Sequence, residues 1–147
     1  MQTKNNRKVF FWNFAWTVSI VATLGSLYFS EVRHFVPCEL CWFQRILMYP
    51  LTILIGISIV RKEFQLSIYV AVLSGIGLLT SLYHYSIQKI SIFSQHAPSC
   101  GPVSCTGEYI NWLGFITIPF LALIAFIFIF ISSIIVYKHT KNDEGNE

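Results

Sequence analysis

In a chain of 147 residues, 54% are hydrophobic and only 12% are charged, which is too apolar for an ordinary soluble domain. The net charge of +3 is spread as a thin fringe with no groove-sized basic patch, which argues against a nucleic-acid role. The apolar residues fall into long runs, and four such runs leave no room for a separate soluble domain.

The first run, Phe10 to Phe29, is about 20 residues without a charge and long enough to cross roughly 30 Å of hydrocarbon as a helix. It is longer than a usual signal core and no small-x-small cleavage site follows it, so it is read as a helix and not as a cleaved leader. Cys41 to Val60 makes a second run, with Arg45 its only charge, one turn in. Leu66 to Tyr85 makes a third and Ile110 to Tyr137 a fourth, the last longer than a crossing needs. The chain is therefore expected to be one all-α membrane domain, a four-helix bundle spanning at residues 10–29, 41–60, 66–85 and 110–137. The polar segment 138–147 is expected to be a disordered tail.

Charge placement sets the expected orientation. Lys4, Arg7 and Lys8 precede the first run, Arg61 and Lys62 separate the second from the third, and Lys138 and Lys141 follow the fourth. Four crossings put all seven on one side, against Arg33 and Lys89 in the opposite loops. The positive-inside rule then places both termini in the cytoplasm and residues 30–37 and 86–109 outside.

Cys38 and Cys41 stand at the outer end of the second run, in Pro37-Cys38-Glu39-Leu40-Cys41-Trp42-Phe43-Gln44-Arg45, where the compartment permits disulfides. Pro37 suits the first turn of a helix, because the amide proton it lacks would go unbonded there. Sulfurs at i and i+3 share a face and can bridge. The positive end of the helix dipole favours the reactive thiolate, while Glu39 pushes the other way. Arg45 shares that face, and an arginine one turn inside hydrocarbon costs a few kcal/mol unless it snorkels or pairs. It could steady a Cys41 thiolate, hydrogen-bond a quinone carbonyl, or anchor to headgroups. Trp42 and Phe43 read as interfacial aromatics that could also wall a flat ring. Alone, a Cys-x-x-Cys is also compatible with a structural disulfide or a zinc site.

The second pair, Cys100 and Cys105, lies in the long outer loop, where Gly101 and Pro102 favour a turn that could bring the sulfurs together. An exposed pair in such a loop fits a labile or catalytic disulfide better than a staple, and closing so small a ring adds little stability. Ile87 to Phe93, before it, is expected to lie along the membrane surface. Two pairs on one side can exchange through mixed disulfides: an incoming dithiol reduces the loop pair, and the loop pair reduces the helix pair. The chain has no Gly-x-Gly-x-x-Gly and no Cys-x-x-Cys-His, so no nucleotide or haem motif offers an electron exit. A lipid-soluble quinone reached from the bilayer is the remaining acceptor.

These residues resemble the DsbB family of membrane thiol oxidases, and most closely its short branch called BdbC. The likeness rests on four spans, Cys38-x-x-Cys41-x-x-x-Arg45 at the head of the second, a cysteine pair in the second outer loop, and Pro119 within Gly114 to Pro119 in the fourth. The resemblance implies that the chain reoxidises an exported thioredoxin-like (DsbA-type) protein and passes two electrons to a quinone, ubiquinone or menaquinone, in a bacterial plasma membrane. It casts Cys100 as the cysteine that the partner attacks and Cys105 as its resolving mate. It casts Cys38 as the exchange partner of the loop, Cys41 as the thiolate next to the quinone, and Arg45 as the residue holding the quinone. His84, between Tyr83 and Tyr85 at the outer end of the third span, reads first as an interfacial histidine with no catalytic task, and lining the quinone site is the alternative. The loop cysteines are separated by four residues, closer than in the best-known Gram-negative members, which bears on the inter-loop disulfide step.

Three other readings compete. A vitamin K epoxide reductase-like protein also has a four-helix bundle and loop cysteines, but its Cys-x-x-Cys follows the loop pair, whereas here it comes first. A non-enzymatic tetraspan protein stapled by two disulfides leaves Arg45 unexplained. A zinc site of four cysteines fits poorly with an oxidising compartment and the loop spacing, and no metal is expected.

Overall fold

The computed structural model describes residues 2–90 and 117–144, with side chains over 6–90 and 117–142. Four long helices make up nearly all of it: α1 (Gln2–Leu27), α2 (Glu39–Arg61), α3 (Ser67–Lys89) and α4 (Ile118–Glu144). Each forms the bulk of a stretch long and apolar enough to cross a membrane, namely Asn6–Val32 (which takes in the turn after α1), Glu39–Arg61, Phe64–Lys89 (which takes in the short turn before α3) and Ile118–Asn142. No strand forms among the described residues. The expected all-α four-helix class is what the structure shows.

The helices close a ring in chain order, with α1 against α2, α2 against α3, α3 against α4, and α4 back against α1. Tyr85 near the end of α3 meets Phe120 at the start of α4, ring centroids 5.4 Å apart, so these two helices run antiparallel. The core is built from Trp12, Leu47, Leu51, Ile55, Val70, Phe126, Ile129 and Val136. Gly77 lets α3 approach α4 closely, since a Cβ there would collide with the Phe126 ring.

The distribution of polarity is the reverse of a soluble bundle. Ser19, Ser58, Ser67, Ser74, Ser81 and Ser133 are wholly buried, while Val21, Leu24, Ile53, Val60 and Leu79 are among the most exposed side chains. In hydrocarbon the outward face gains nothing by being polar, and helix contacts select small residues that let backbones approach. Several of these serines satisfy themselves locally, as where Ser74 Oγ donates to the Val70 carbonyl and Ser133 Oγ to that of Ile129, whereas the Ser67 and Ser81 hydroxyls have no hydrogen-bond partner among the described residues.

Several boundaries differ from the sequence reading. The first helix ends at Leu27 and widens into a π-helical turn, Tyr28–Val32, in which Arg33 N–H donates to the Tyr28 carbonyl. His34 follows at φ 53°, a left-handed conformation that histidine adopts more readily than most residues. Pro37 lies outside α2, because Cys38 is extended (φ −72°, ψ 172°) and caps a helix whose first residue is Glu39. The third helix continues to Lys89, so Ile87 is buried within the bundle and not on a surface segment, while 91–93 lie outside the described residues. Similarly, α4 extends past Tyr137 to Glu144, where a disordered tail was expected. Lys138 and Lys141 in its last turns complement the negative end of the helix dipole, and Thr140 Oγ1 donates to the Val136 carbonyl.

Candidate functional site

Because Cys38 is the cap of α2, its backbone carbonyl accepts the first helical hydrogen bond, from Trp42 N–H, at 3.0 Å. That fixes Cys41 in the first turn, one position short of a full turn from the cap. The two sulfurs stand 3.2 Å apart as thiols, Cys38 donating to Cys41. Cys38 is buried and Cys41 half-buried, so the pair forms a short step from the protein interior to a cavity wall.

His84 reaches this step from α3 and is itself buried. Its Nε2 lies 3.6 Å from Cys38 Sγ, and its Nδ1 lies 3.1 Å from Nε2 of the buried Gln44. An amide nitrogen can only donate, so Nδ1 accepts and the imidazole proton sits on Nε2, facing the sulfur. The hydrogen bond to Cys41, together with burial, pushes the Cys38 thiol up to about 12, while the hydrogen bond from His84 pulls the other way.

Arg45, one turn below Cys41, is anchored to α1. Its Nη2 donates to the Ser26 carbonyl at 3.0 Å and its Nη1 to Ser30 Oγ at 3.3 Å. Ser30 lies in the π-helical turn and in turn donates to Glu31 Oε1 at 3.4 Å. Irregular turns of this kind often mark functional positions in helices. Here the turn places a hydroxyl, beside a carbonyl from the last turn of α1, where a guanidinium inside the bundle needs acceptors.

Between α1, α2 and α4 lies a cavity of about 500 Å³ whose lining includes Cys38, Cys41, Gln44, Arg45 and His84. The rest of the wall is mainly apolar, with Phe29, Met48 and Ala122 among its members. Val21 of α1 with Leu121 and Phe128 of α4 also line it, and all three are exposed on the outer surface of the bundle. The cavity therefore opens sideways between α1 and α4, toward the bilayer.

The structure thus brings four of the sequence candidates together: Cys38, Cys41, Arg45 and His84. Trp42 is not among the cavity-lining residues. As the immediate neighbour of Cys41 it points about 100° around the helix and is 55% exposed, with the Arg45 guanidinium 5.8 Å from its ring. Cys100 and Cys105 lie outside the described residues. Sequence reading gave no role to Gln44, Ser26 or Ser30. A glutamine in an otherwise apolar run was the available signal for Gln44, whereas Ser26 and Ser30 come into play through the turn after α1, which spacing does not reveal. Cys38, Cys41 and His84 also place two sulfurs and an imidazole nitrogen within 4.8 Å of one another, a set able to hold a thiophilic ion.

Comparison with known proteins gives one consistent answer. The family model for "Disulfide bond formation protein DsbB" matches residues 7–136. "Probable disulfide formation protein C 1" of Bacillus cereus is 57% identical over 125 residues, covering 85% of this chain and 90% of that protein. "Disulfide bond formation protein C" of Bacillus subtilis is 54% identical over 126 residues, covering 86% and 91%. A "Probable disulfide formation protein" of Oceanobacillus iheyensis is 45% identical over 124 residues, covering 84% and 86%. No solved structure matches the chain. A family match over nearly the whole bundle, relatives aligned along most of their own length and a cysteine pair poised inside four membrane-length helices lead to one conclusion: the chain belongs to the DsbB family, multi-pass bacterial membrane oxidoreductases of disulfide-bond formation.

Proposed function

We propose that this protein reoxidises an extracytoplasmic thioredoxin-like protein of the DsbA type and delivers the two electrons to a membrane quinone. The observation that carries this reading is the shared cavity: Cys41 and Arg45 line one apolar chamber that opens to the bilayer between α1 and α4. A flat, apolar ring with hydrogen-bond-accepting oxygens fits a chamber with one cationic donor and a lateral mouth. In the cavity a quinone supplies an acceptor for two electrons and two protons.

The chain's own residues perform the exchange. In this reading the partner's thiolate attacks Cys100 of a Cys100–Cys105 disulfide, and the resulting mixed disulfide is resolved as the partner's second thiol closes its own disulfide. The loop dithiol then attacks Cys38 of a Cys38–Cys41 disulfide, releasing Cys41 as a thiolate on the cavity wall beside Arg45. A second loop thiolate displaces Cys38, re-forming Cys100–Cys105. Across the sequence the partner loses two electrons and two protons and gains one disulfide. His84 Nε2–H faces Cys38 at 3.6 Å and stabilises that sulfur as it leaves, while Gln44 holds the tautomer. The same reading keeps both termini in the cytoplasm and both cysteine pairs outside, following the charge bias.

The test is turnover by purified protein with a reduced thioredoxin-like partner, read as the fall in absorbance of the oxidised quinone. Cys41→Ser and Cys100→Ser each abolish it. Arg45→Gln raises the quinone KM about tenfold, the worth of one charged hydrogen bond. Turnover that survives either cysteine change refutes the relay, and an unchanged KM returns Arg45 to a purely structural role.

A further inference from the structure

The reduced pair and His84 have a capability that thiol exchange leaves unused. Cys38 Sγ and Cys41 Sγ are 3.2 Å apart, Cys38 Sγ is 3.6 Å from His84 Nε2, and all three donors fall within 4.8 Å. In a tetrahedral zinc site, with Zn–S about 2.3 Å and Zn–N about 2.0 Å, neighbouring ligand atoms stand roughly 3.5–3.8 Å apart. Adjustments of about an ångström would bring these three into that arrangement. Two come from the head of α2 and one from α3, so the bundle itself sets their spacing.

The surroundings suit a cation held this way. Two thiolates neutralise a divalent ion, so the complex carries no net charge into a buried site. Arg45, the nearby cation on the same wall, is directed to Ser26 of α1 and Ser30 of the turn that follows it. Gln44 already contacts the other imidazole nitrogen at 3.1 Å. A half-turn of its amide presents Oε1 to an Nδ1–H, which frees the Nε2 lone pair and provides the outer partner that metal-bound histidines usually have. Cys41 lines the cavity, leaving a fourth position for water or an added ligand.

We propose that reduced Cys38 and Cys41, together with His84, form a redox-gated binding site for a thiophilic divalent cation such as Zn²⁺. Binding exchanges two thiol protons for one ion, and no electron moves. Oxidation to the disulfide removes both anionic donors and closes the site. An ion bound there ties up both sulfurs and holds the pair reduced. The donor set differs from four cysteines in using an imidazole from the neighbouring helix in place of the loop pair.

Cobalt(II) serves as a spectroscopic probe on the full-length, untagged chain in detergent, with Cys100→Ser and Cys105→Ser removing the loop thiols. The reduced protein is expected to take up one Co²⁺ per chain. It should show thiolate-to-cobalt charge transfer in the near ultraviolet, intense tetrahedral bands in the visible, and release of two protons, with Zn²⁺ displacing the signal. The oxidised protein shows none of this. His84→Ala shifts the bands and weakens binding at least tenfold, and Gln44→Leu, which keeps all three ligands, weakens it about tenfold. Each variant is first matched in helical circular dichroism, and His84→Gln replaces a variant that loses helix. Absence of tetrahedral bands in the reduced protein overturns the proposal. So do bands and affinity unchanged by both the His84 and Gln44 substitutions, which would leave the thiols and solvent as the only ligands.

Discussion

The two ends of the bundle solve opposite problems. At the end where α2 passes into α3, Trp12 Nε1–H donates to Ser58 Oγ at 2.9 Å, and Ser58 Oγ donates onward to the Glu63 carbonyl at 2.6 Å. A large aromatic, wholly buried, is thereby pinned to the turn that closes α2, where Lys62 adopts φ 57°. Near the other end the polar groups face a chamber of about 500 Å³, and the guanidinium of Arg45 is held by a hydroxyl and a carbonyl of the facing helix. One end spends its polar groups on closing the structure and the other on keeping donors poised at an opening. The difference shows that polarity inside a membrane bundle says little by itself: the reading depends on whether the partners are internal or border a space.

By this division, Trp12→Ala should act on stability alone. Loss of the ring and its hydrogen bond should cost about 3–5 kcal/mol, seen as a lower midpoint for loss of helicity on heating, while the quinone KM of the remaining folded protein stays put. A KM shift as large as that of Arg45→Gln would break the separation of the two ends. The next effect concerns protons. A thiol raised from 9.0 to about 12 holds less thiolate at any pH below that value, so Cys38 should alkylate slowly at pH 8 and faster as the pH climbs. Cys41→Ser removes the sulfur that contributes most to the rise and should speed Cys38 alkylation at least tenfold, measured by mass spectrometry on a chain lacking Cys100 and Cys105. The smallest effect belongs to the π-helical turn. Ser30→Ala should raise the quinone KM about threefold, the worth of one neutral partner, with Ser30→Thr restoring it; an unchanged KM would make the turn a structural irregularity only.

Much of this was legible in the sequence because hydrocarbon is an unforgiving solvent. Long uncharged runs announced four helices, and Arg45 stood out as the one charge in the second of them. Helix ends were harder to read. The chain passes from α1 into a widened turn and caps α2 with Cys38, and no residue periodicity records either event. The extensions of α3 to Lys89 and of α4 to Glu144 went unforeseen because polar residues continue a helix once its apolar part has nucleated it. Contacts between helices were the least legible. That His84 meets Cys38 and Gln44 depends on how α3 is rotated against α2, and only packing fixes that rotation.

That Val21 of α1 and Leu121 and Phe128 of α4 both line the cavity and face outward has a consequence for how affinity is expressed. A molecule entering there comes from the membrane plane, so its supply is counted per lipid and not per litre. Occupancy should follow the mole fraction of ligand in the bilayer. Doubling the lipid at a fixed amount of a strongly partitioning ligand should lower saturation as effectively as halving the ligand. Two ligands with equal contacts but different tails would then rank by how they distribute between lipid and water. Affinities measured in different detergents become comparable only after division by the micellar volume available to each.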